Sequence, residues 1–298
     1  MDAGKRMELK WRKKTIRLER GALMGILNVT PDSFSDGGQF QTLPVALAQA
    51  KALVAAGAMI LDVGGESSRP TAASVTEEIE LARVIPVIEA LHQLRKQCAS
   101  QFLISIDTRK AGVSRAALRA GADLVNDVTG LSDPLMRETC AEFGVPAVLM
   151  HMRGAPSVLD WSKEAQPFTD LMREIRNELA MAARQALAAG VPSVILDPGF
   201  GFGKSVQQNL DLIRRLPELK SLGHPILLGV SRKSALGRIT GVEAPAERDP
   251  ASIAAHLFGL WKGADILRVH DVHGHAQAVK VWRALEGPAG ESARQNQG

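Results

Sequence analysis

The feature that most limits how this chain can fold is a repeated alternation of helical patterns with short apolar runs. In six places a glycine ends a helical pattern, an apolar run follows, and that run stops at a polar residue. The six passages are AAGAMILDVGG, RAGADLVNDVTG, FGVPAVLMHMRG, AAGVPSVILDPGFG, LGHPILLGVSRKS and WKGADILRVHDVHG. Two further runs, ALMGILN and FLISIDT, end in the same way without the leading glycine. The pattern predicts eight strands, at about 22–28, 58–63, 102–107, 123–127, 146–151, 193–197, 225–231 and 264–270.

Strands that are apolar almost throughout, alternating with amphipathic helices, are typical of a parallel sheet covered by helices. Eight such units in 298 residues predict an α/β fold, a single-domain (β/α)8 TIM barrel. A doubly wound open sheet is the alternative. We expect a basic N-terminal segment over 1–20, whose strand or hairpin closes the barrel bottom, the barrel itself over 21–286, and a disordered tail over 287–298.

The positive charge of the chain is concentrated at its N-terminus. Residues 1–20 carry eight basic and three acidic side chains, a local charge of +5 against +4 for the whole chain. The alternation in TIRLER favours a solvated strand over a nucleic-acid site, with a basic-tailed binding protein as the alternative. We find neither a stretch of about 18 apolar residues nor the apolar core of a signal peptide. We therefore expect a cytoplasmic protein without membrane contact, in which Cys98 and Cys140 are reduced packing residues.

Polar residues stand at the ends of all eight predicted strands. They are Asn28, Asp62, Asp107, Asn126, His151, Asp197, Ser231 with Lys233, and Arg268 with His270. In a barrel of this kind the active site lies at the C-terminal strand ends. One or two polar ends would follow from solvent exposure alone, but so many at equivalent positions favour a site at this rim.

Structural roles compete with functional ones for several of these residues. Asp107 and Asp197 would each serve as the cap of a following helix, and Arg69 as a solvated loop charge. The histidines of HDVHGH suggest a metal site, but no acidic or cysteine ligand accompanies them. A strand-end His270 followed by two exposed loop histidines, His273 and His275, is the favoured interpretation.

The segment PGFGFGKS nearly forms a phosphate-binding P-loop. That motif requires a glycine five residues before Gly203, and Pro198 occupies the position. A nucleotide-hydrolysing function is therefore disfavoured, and the glycines are expected to permit a tight loop.

Eight segments taken together resemble one enzyme family. MGILNVTPDSFSDGG, DVGGESSRP, SIDT, NDVTG, VLMHMRG, LDPGFGFGK, GVSRKS and LRVHDV are similar, in the same order, to dihydropteroate synthases, over about residues 22–285. The resemblance implies condensation of 6-hydroxymethyl-7,8-dihydropterin diphosphate with p-aminobenzoate to 7,8-dihydropteroate and pyrophosphate, a step of folate biosynthesis. In this reaction the diphosphate leaves, a pterin-stabilised methylene cation forms, and the aryl amine attacks it. The resemblance also implies Mg²⁺ as cofactor, a homodimer, and a target of sulfonamides, which mimic p-aminobenzoate.

The resemblance assigns roles to individual residues. Asn28 would bind Mg²⁺, and the loop after it would be a mobile cover for the substrates. The pterin ring would be bound by Asp107, Asn126, Asp197, Lys233 and Arg268. The diphosphate would be bound by Arg69, Arg268 and His270, and p-aminobenzoate by Phe34, Ser68, Phe202 and Ser234. The residues expected to act in the reaction itself are Asn28, Asp107, Lys233, Arg268 and His270.

The chain departs from the family pattern at three places. Ser68 stands where threonine is usual, and Thr71 where glycine is common. The segment ERDPAS, Glu247–Ser252, replaces a glycine followed by threonine or serine, and we expect it to act in packing, with an effect on a dimer surface left open.

Two other functions fit the same pocket. A folate-using methyltransferase needs no diphosphate site, and ESSRP, SRKS and RVHDV together argue against it. A non-catalytic pterin-binding protein would have lost a residue such as Asn28, Arg69, Lys233 or His270, and all four are retained.

Overall fold

The computed structural model describes residues 7–29, 39–66, 75–97, 102–153 and 168–286. It begins with an antiparallel hairpin of β1 (Met7–Trp11) and β2 (Lys14–Leu18). Eight parallel strands follow: β3 (Ala22–Asn28), β4 (Ile60–Gly64), β5 (Leu103–Asp107), β6 (Leu124–Asp127), β7 (Ala147–Met150), β8 (Val194–Asp197), β9 (Leu227–Leu228) and β10 (Ile266–Val269). The predictions for Phe34, Ser68, Arg69, Thr71, Cys98, the loop after Asn28 and the tail over 287–298 lie outside the described residues.

Helices connect the strands. They are α1 (Gln39–Ala55), α2 (Glu77–Gln97), α3 (Ala111–Ala120), α4 (Pro134–Phe143), α5 (Leu171–Ala188), α6 (Val206–Arg214), α7 (Leu216–Lys220), α8 (Ser234–Thr240), a 3₁₀ helix (Pro245–Arg248), α9 (Asp249–Trp261) and α10 (Val272–Glu286). Within the described ranges, no helix combines the length and apolar character needed to span a bilayer.

The strands close into a barrel. The sheet order is β8-β7-β6-β5-β4-β3-β10-β9, and a parallel bridge between Leu196 and Ile226 joins the two outer strands. The Leu196 N–H donates to Pro225 O at 2.9 Å across this seam. The predicted (β/α)8 barrel is confirmed, and the open-sheet alternative is wrong. Strand β9 is shorter than predicted because the Val230 N–H is directed at His256 of α9.

Two apolar layers lie on either side of the barrel wall. The outward side chains pack under the helices. Inward side chains from alternate strand positions, such as Met24, Leu124 and Ile195, form a separate inner cluster. The inner cluster fills the barrel as a packed core. Burial of each of its large apolar side chains stabilises the fold by about 1.5–3 kcal/mol.

The N-terminal hairpin closes the bottom of the barrel, as predicted. Its alternation places Met7, Leu9 and Leu18 in the inner cluster, whereas the charged residues between them face solvent. The Lys10 N–H donates to Ser193 Oγ (2.8 Å) beside the start of β8. Because this contact is at the N-terminal end of a barrel strand, the hairpin leaves the C-terminal rim open.

Candidate active site

The polar strand ends form one row across the rim. In the sheet register, Asn28 of β3 pairs with Gly64 of β4, Gly64 with Asp107 of β5, and Asp107 with Asn126 of β6. Gly64 has no side chain, and a Cβ there would lie 3.4 Å from Asn28 Oδ1 and 3.7 Å from Asp107 Oδ2. The bare position therefore lets side chains from β3 and β5 approach each other.

A second layer of charge lies beneath this row. Arg268 of β10 donates from Nε to Asp62 Oδ2 and from Nη2 to Asp107 Oδ2, each at 2.6 Å. Asn126 Nδ2 donates to the same Asp62 oxygen at 2.9 Å. Asp62 is fully buried, so it fixes both the guanidinium and the orientation of the Asn126 amide. Asp62 is missing from the predicted site residues, although its position at a strand end was a signal.

The charge balance of this group favours binding of N–H donors. Burial raises the pKa of Asp107 to about 7, against the attraction of Arg268 and with the repulsion of Asp62. Burial opposes the charge of Arg268, but Asp62 and Asp107 together outweigh it and raise the pKa of its guanidinium. The guanidinium of Arg268 is thus shared by Asp62 and Asp107. The carboxylate oxygens that it does not bind remain as acceptors for a ligand.

Asp197, at the end of β8, faces the group from the other side of the barrel. Its Oδ1 accepts the Gly199 N–H at 2.7 Å, and burial raises its pKa. Gly229, after β9, lies between Asp197 and Arg268. A Cβ on Gly229 would be 3.8 Å from both Asp197 Oδ2 and Arg268 Cβ. No side chain at Gly229 therefore separates Asp197 from Arg268.

Neither aspartate is a helix cap. The cap of α6 is Ser205, whose Oγ accepts the Gln208 N–H in a reciprocal capping box. Helix α3 begins after Lys110, which makes no side-chain cap bond. The alternative of capping roles for Asp107 and Asp197 is therefore wrong.

Lys233 lies close to both Asp197 and Arg268. Its Nζ lies 4.0 Å from the centre of the Phe202 ring, a cation–π contact. Burial and the nearby Arg268 lower the pKa of Lys233 to about 8. Gly201 allows this approach, because its φ is +81° and a Cβ there would lie 3.2 Å from Lys233 Cδ.

Lys204 bonds the backbone of the glycine-rich loop that follows β8. Its Nζ donates to Gly199 O at 2.9 Å and to Phe202 O at 3.1 Å, and burial lowers its pKa to about 7. A lysine that bonds the carbonyls of its own loop is not directed at a nucleotide phosphate, so the P-loop interpretation fails. Lys204 is a second residue that the site prediction missed, and PGFGFGKS contained the signal.

His270 is held by Ser231. Ser231 Oγ lies 2.9 Å from His270 Nδ1 and accepts the His270 backbone N–H at 3.1 Å. Burial, with Arg232 and Arg268 nearby, lowers the pKa of His270 to about 3. His270 is therefore neutral, so what it can contribute to the expected diphosphate binding is a hydrogen bond and not a positive charge. A base this weak does not activate the buried Ser231 as a nucleophile.

The remaining predicted residues divide by location. Ser234 is exposed at the first position of α8, next to Lys233. His273 and His275 both lie in α10, so the expectation that they lie in a loop is wrong for both. His273 is exposed as expected, whereas His275 is buried. In the described ranges no group of three histidine, cysteine or acidic side chains is placed to hold a metal ion.

Asn28 fits a magnesium ligand of the expected kind. In the described part of the chain, no hydrogen bond engages its side-chain amide, and its Oδ1 points at the space beside Gly64 and Asp107. Mg²⁺ binds hard oxygen atoms, keeps several waters and takes other ligands from substrate phosphates. A single amide oxygen at this rim is therefore compatible with Mg²⁺.

Comparison with known proteins identifies the family that the chain resembles. The model of the pterin binding enzyme family matches residues 24–270. The dihydropteroate synthase of Synechocystis sp. is 45% identical over 278 residues, which cover 92% of this chain and 91% of that protein. The dihydropteroate synthase of Escherichia coli K12 is 42% identical over 272 residues, covering 91% and 93%.

Solved structures agree. Xanthomonas albilineans dihydropteroate synthase with 4-aminobenzoic acid has a TM-score of 0.86 at 43% identity, covering 95% of this chain and all of that one. The same enzyme in complex with 7,8-dihydropteroate gives 0.82 at 41%, covering 94% and 100%. The Yersinia pestis enzyme with a sulfonamide drug gives 0.85 at 41%, covering 95% and 100%. The chain therefore belongs to the dihydropteroate synthase family of pterin-binding enzymes.

Proposed function

We propose that this chain is a transferase that condenses 6-hydroxymethyl-7,8-dihydropterin diphosphate with p-aminobenzoate, releasing pyrophosphate and 7,8-dihydropteroate. The observation that carries the proposal is a cluster of six side chains at one rim. Arg268 bonds Asp62 and Asp107, and Asn126 bonds Asp62. Asp197 and Lys233 lie close to Arg268 and to each other. Related enzymes have been crystallised with 4-aminobenzoic acid, 7,8-dihydropteroate and a sulfonamide drug, which supports the same substrates and inhibitors here.

The acceptors suit the N–H edge of a pterin ring. Asp197 keeps Oδ2 for the ligand, since Oδ1 is taken by Gly199. Asn126 donates its N–H to Asp62, so its Oδ1 is left as an acceptor. Asp107 gives one oxygen to Arg268 and keeps the other. Lys233 supplies donors for the ring acceptors. The pocket thus presents acceptors on one side and donors on the other.

The reaction requires stabilisation of a leaving diphosphate more than a protein nucleophile. Arg268 retains Nη1 after binding its two carboxylates, and His270 offers a neutral Nε2–H because Ser231 engages Nδ1. We assign Asn28 as the protein ligand of Mg²⁺, which when bound neutralises charge on the diphosphate oxygens. Arg69 would add a further charge, and Phe34, Ser68, Phe202 and Ser234 would bind the aryl acid, by resemblance of the motifs.

We also propose a cytoplasmic homodimer that binds neither nucleic acid nor membrane. Support comes from exposed apolar side chains on α8 and α9, away from the rim loops: Ile239 (50% exposed), Phe258 (40%) and Trp261 (54%). The basic hairpin uses its inner face for the barrel core, which favours a structural role for the N-terminal segment.

Pyrophosphate release tests the proposal. The protein is mixed with dihydropterin diphosphate, p-aminobenzoate and Mg²⁺, with each substrate omitted in turn as control. We expect release only with both substrates present. A non-catalytic pterin-binding protein would bind the diphosphate and release nothing, and this result would refute the proposal.

A further inference from the structure

The loop that carries Lys233 contains a residue in an unfavourable conformation. Arg232 has a φ of 59°, in the left-handed region that non-glycine residues rarely adopt. It lies between Ser231, which bonds His270, and Lys233, which contacts Phe202. The conformation of Arg232 therefore determines where both neighbouring side chains point.

One face of helix α9 supports this conformation. The Arg232 N–H donates to Ser252 Oγ at 2.9 Å. Its guanidinium donates to both oxygens of Asp249, at 2.8 and 2.7 Å. His275 Nδ1 donates to Asp271 O, so His256 Nδ1 donates to His275 Nε2 at 2.8 Å. His256 Nε2 is then free to accept the Val230 N–H at 3.3 Å, just after β9. The three side chains are spaced three and four residues apart and share one helix face. We call Asp249, Ser252 and His256 the α9 stripe.

Neighbouring bonds complete the arrangement. Arg248 Nη1 donates to the Arg232 carbonyl at 3.0 Å, so both backbone polar groups of Arg232 are bonded. Ser252 Oγ in turn donates to the Arg248 carbonyl at 2.8 Å. Arg248, Asp249 and Ser252 all belong to the segment Glu247–Ser252, for which the sequence suggested packing and left an effect on a dimer surface open.

We propose that the α9 stripe is a positioning element for the reaction: it holds Arg232 in the left-handed conformation and thereby places Lys233 over the pterin site. The stripe residues act through the loop and touch no substrate. The inference rests on the proposed role of Lys233 in pterin binding. Without the stripe, the loop adopts other conformations, and substrate must first restore the competent one.

Steady-state kinetics test this with Arg232→Ala and Ser252→Ala. The left-handed conformation is disfavoured about 5- to 30-fold for arginine and alanine alike, but alanine lacks the Asp249 ion pair that offsets this cost, so Arg232→Ala raises KM for dihydropterin diphosphate by up to about that factor. Ser252→Ala raises the same KM in the same direction. Saturating substrate restores the loop, so kcat stays within about threefold. The control is Glu247→Gln, which alters an exposed carboxylate of the same segment outside the stripe and leaves KM unchanged. A purely structural stripe predicts lower melting temperatures with unchanged KM, and that result overturns the inference.

Glycine provides a rescue experiment. Arg232→Gly also loses the Asp249 ion pair, but glycine adopts the left-handed conformation freely. We expect its KM increase to be less than a third of that of Arg232→Ala. In the Arg232→Gly background, Asp249→Asn has no further effect, because its partner is already gone. Equal KM increases for the alanine and glycine variants overturn the inference.

Lys233→Ala separates the two levels of the proposal. If Lys233→Ala raises KM for the pterin substrate and the stripe variants do not, only the positioning role fails. If Lys233→Ala leaves this KM unchanged, the pterin site itself is wrong and the positioning role fails with it.

Discussion

Replacing Asp197 by asparagine separates a pterin acceptor from a residue that only shapes the loop. Asparagine keeps an oxygen for the Gly199 N–H, which Asp197 accepts at 2.7 Å, so the turn after β8 stays intact. The second oxygen, directed at the space beside Gly229, becomes an N–H₂ group. The substitution therefore changes only the atom that we assign to the ligand.

The expected loss of affinity follows from that one atom. A hydrogen bond to a charged acceptor contributes about 1.5–3 kcal/mol, and an unpaired ring donor adds a desolvation penalty. The total of about 2–4 kcal/mol is a roughly 30- to 1000-fold weaker pterin affinity. Stability of the free protein changes by less than about 1 kcal/mol. Burial raises the pKa of Asp197, so its carboxylate opposes folding as the pH rises above the unfolded value, and a neutral amide relieves this.

Two assays distinguish the interpretations. Titration calorimetry with the pterin substrate reports the affinity, and thermal melting of the free protein reports the stability. Ser205→Ala is the matched control, because it removes the α6 cap and lowers stability by about 1 kcal/mol without touching the ligand. Normal pterin affinity in Asp197→Asn would refute the acceptor role, and a large loss of stability would show that the loop depends on the charge.

Three further outcomes are expected. The pKa of Lys233 is about 8, so its charge is present below that pH and lost above it; pterin affinity measured between pH 6.5 and 9.5 falls above about 8, and a flat profile contradicts this. Chelation of Mg²⁺ weakens dihydropterin diphosphate far more than free pterin in binding titrations; equal weakening would place the metal elsewhere. Leu9→Ala, in the hairpin under the barrel, lowers the free energy of unfolding by about 2–5 kcal/mol in urea titration; a loss below 1 kcal/mol would mean the hairpin is not part of the core.

The fold was predictable because the residues that end each strand can be recognised in the sequence. Apolar runs between glycines and polar residues locate seven of the eight strands to within two residues at either end. The exception, β9, loses its last residues because Val230 bonds a histidine from α9. A hydrogen-bond partner on a distant helix leaves no trace in the sequence of the strand, so the shortening of β9 could not be predicted from its apolar run.

The site was predictable in position but not in its internal bonding. Strand ends converge in a barrel whatever their sequence separation, so the rim residues could be named. The role of Asp62 depends on Arg268, which lies 206 residues away in the chain. The neutral state of His270 depends on burial beside Arg232, in the loop after β9, and Arg268, of the strand that His270 follows. His275 is buried because α10 begins at Val272, soon after β10 ends. These properties arise from three-dimensional proximity.

The most direct measurement follows both products of a single reaction. The protein is incubated with dihydropterin diphosphate, p-aminobenzoate and Mg²⁺, and dihydropteroate is quantified by mass spectrometry alongside pyrophosphate. If the rim pocket joins the two substrates, one dihydropteroate appears for each pyrophosphate, and neither appears when p-aminobenzoate is omitted. Pyrophosphate without dihydropteroate would identify a hydrolase, and the absence of both products would identify a pterin-binding protein without catalysis; either result would contradict the proposed function.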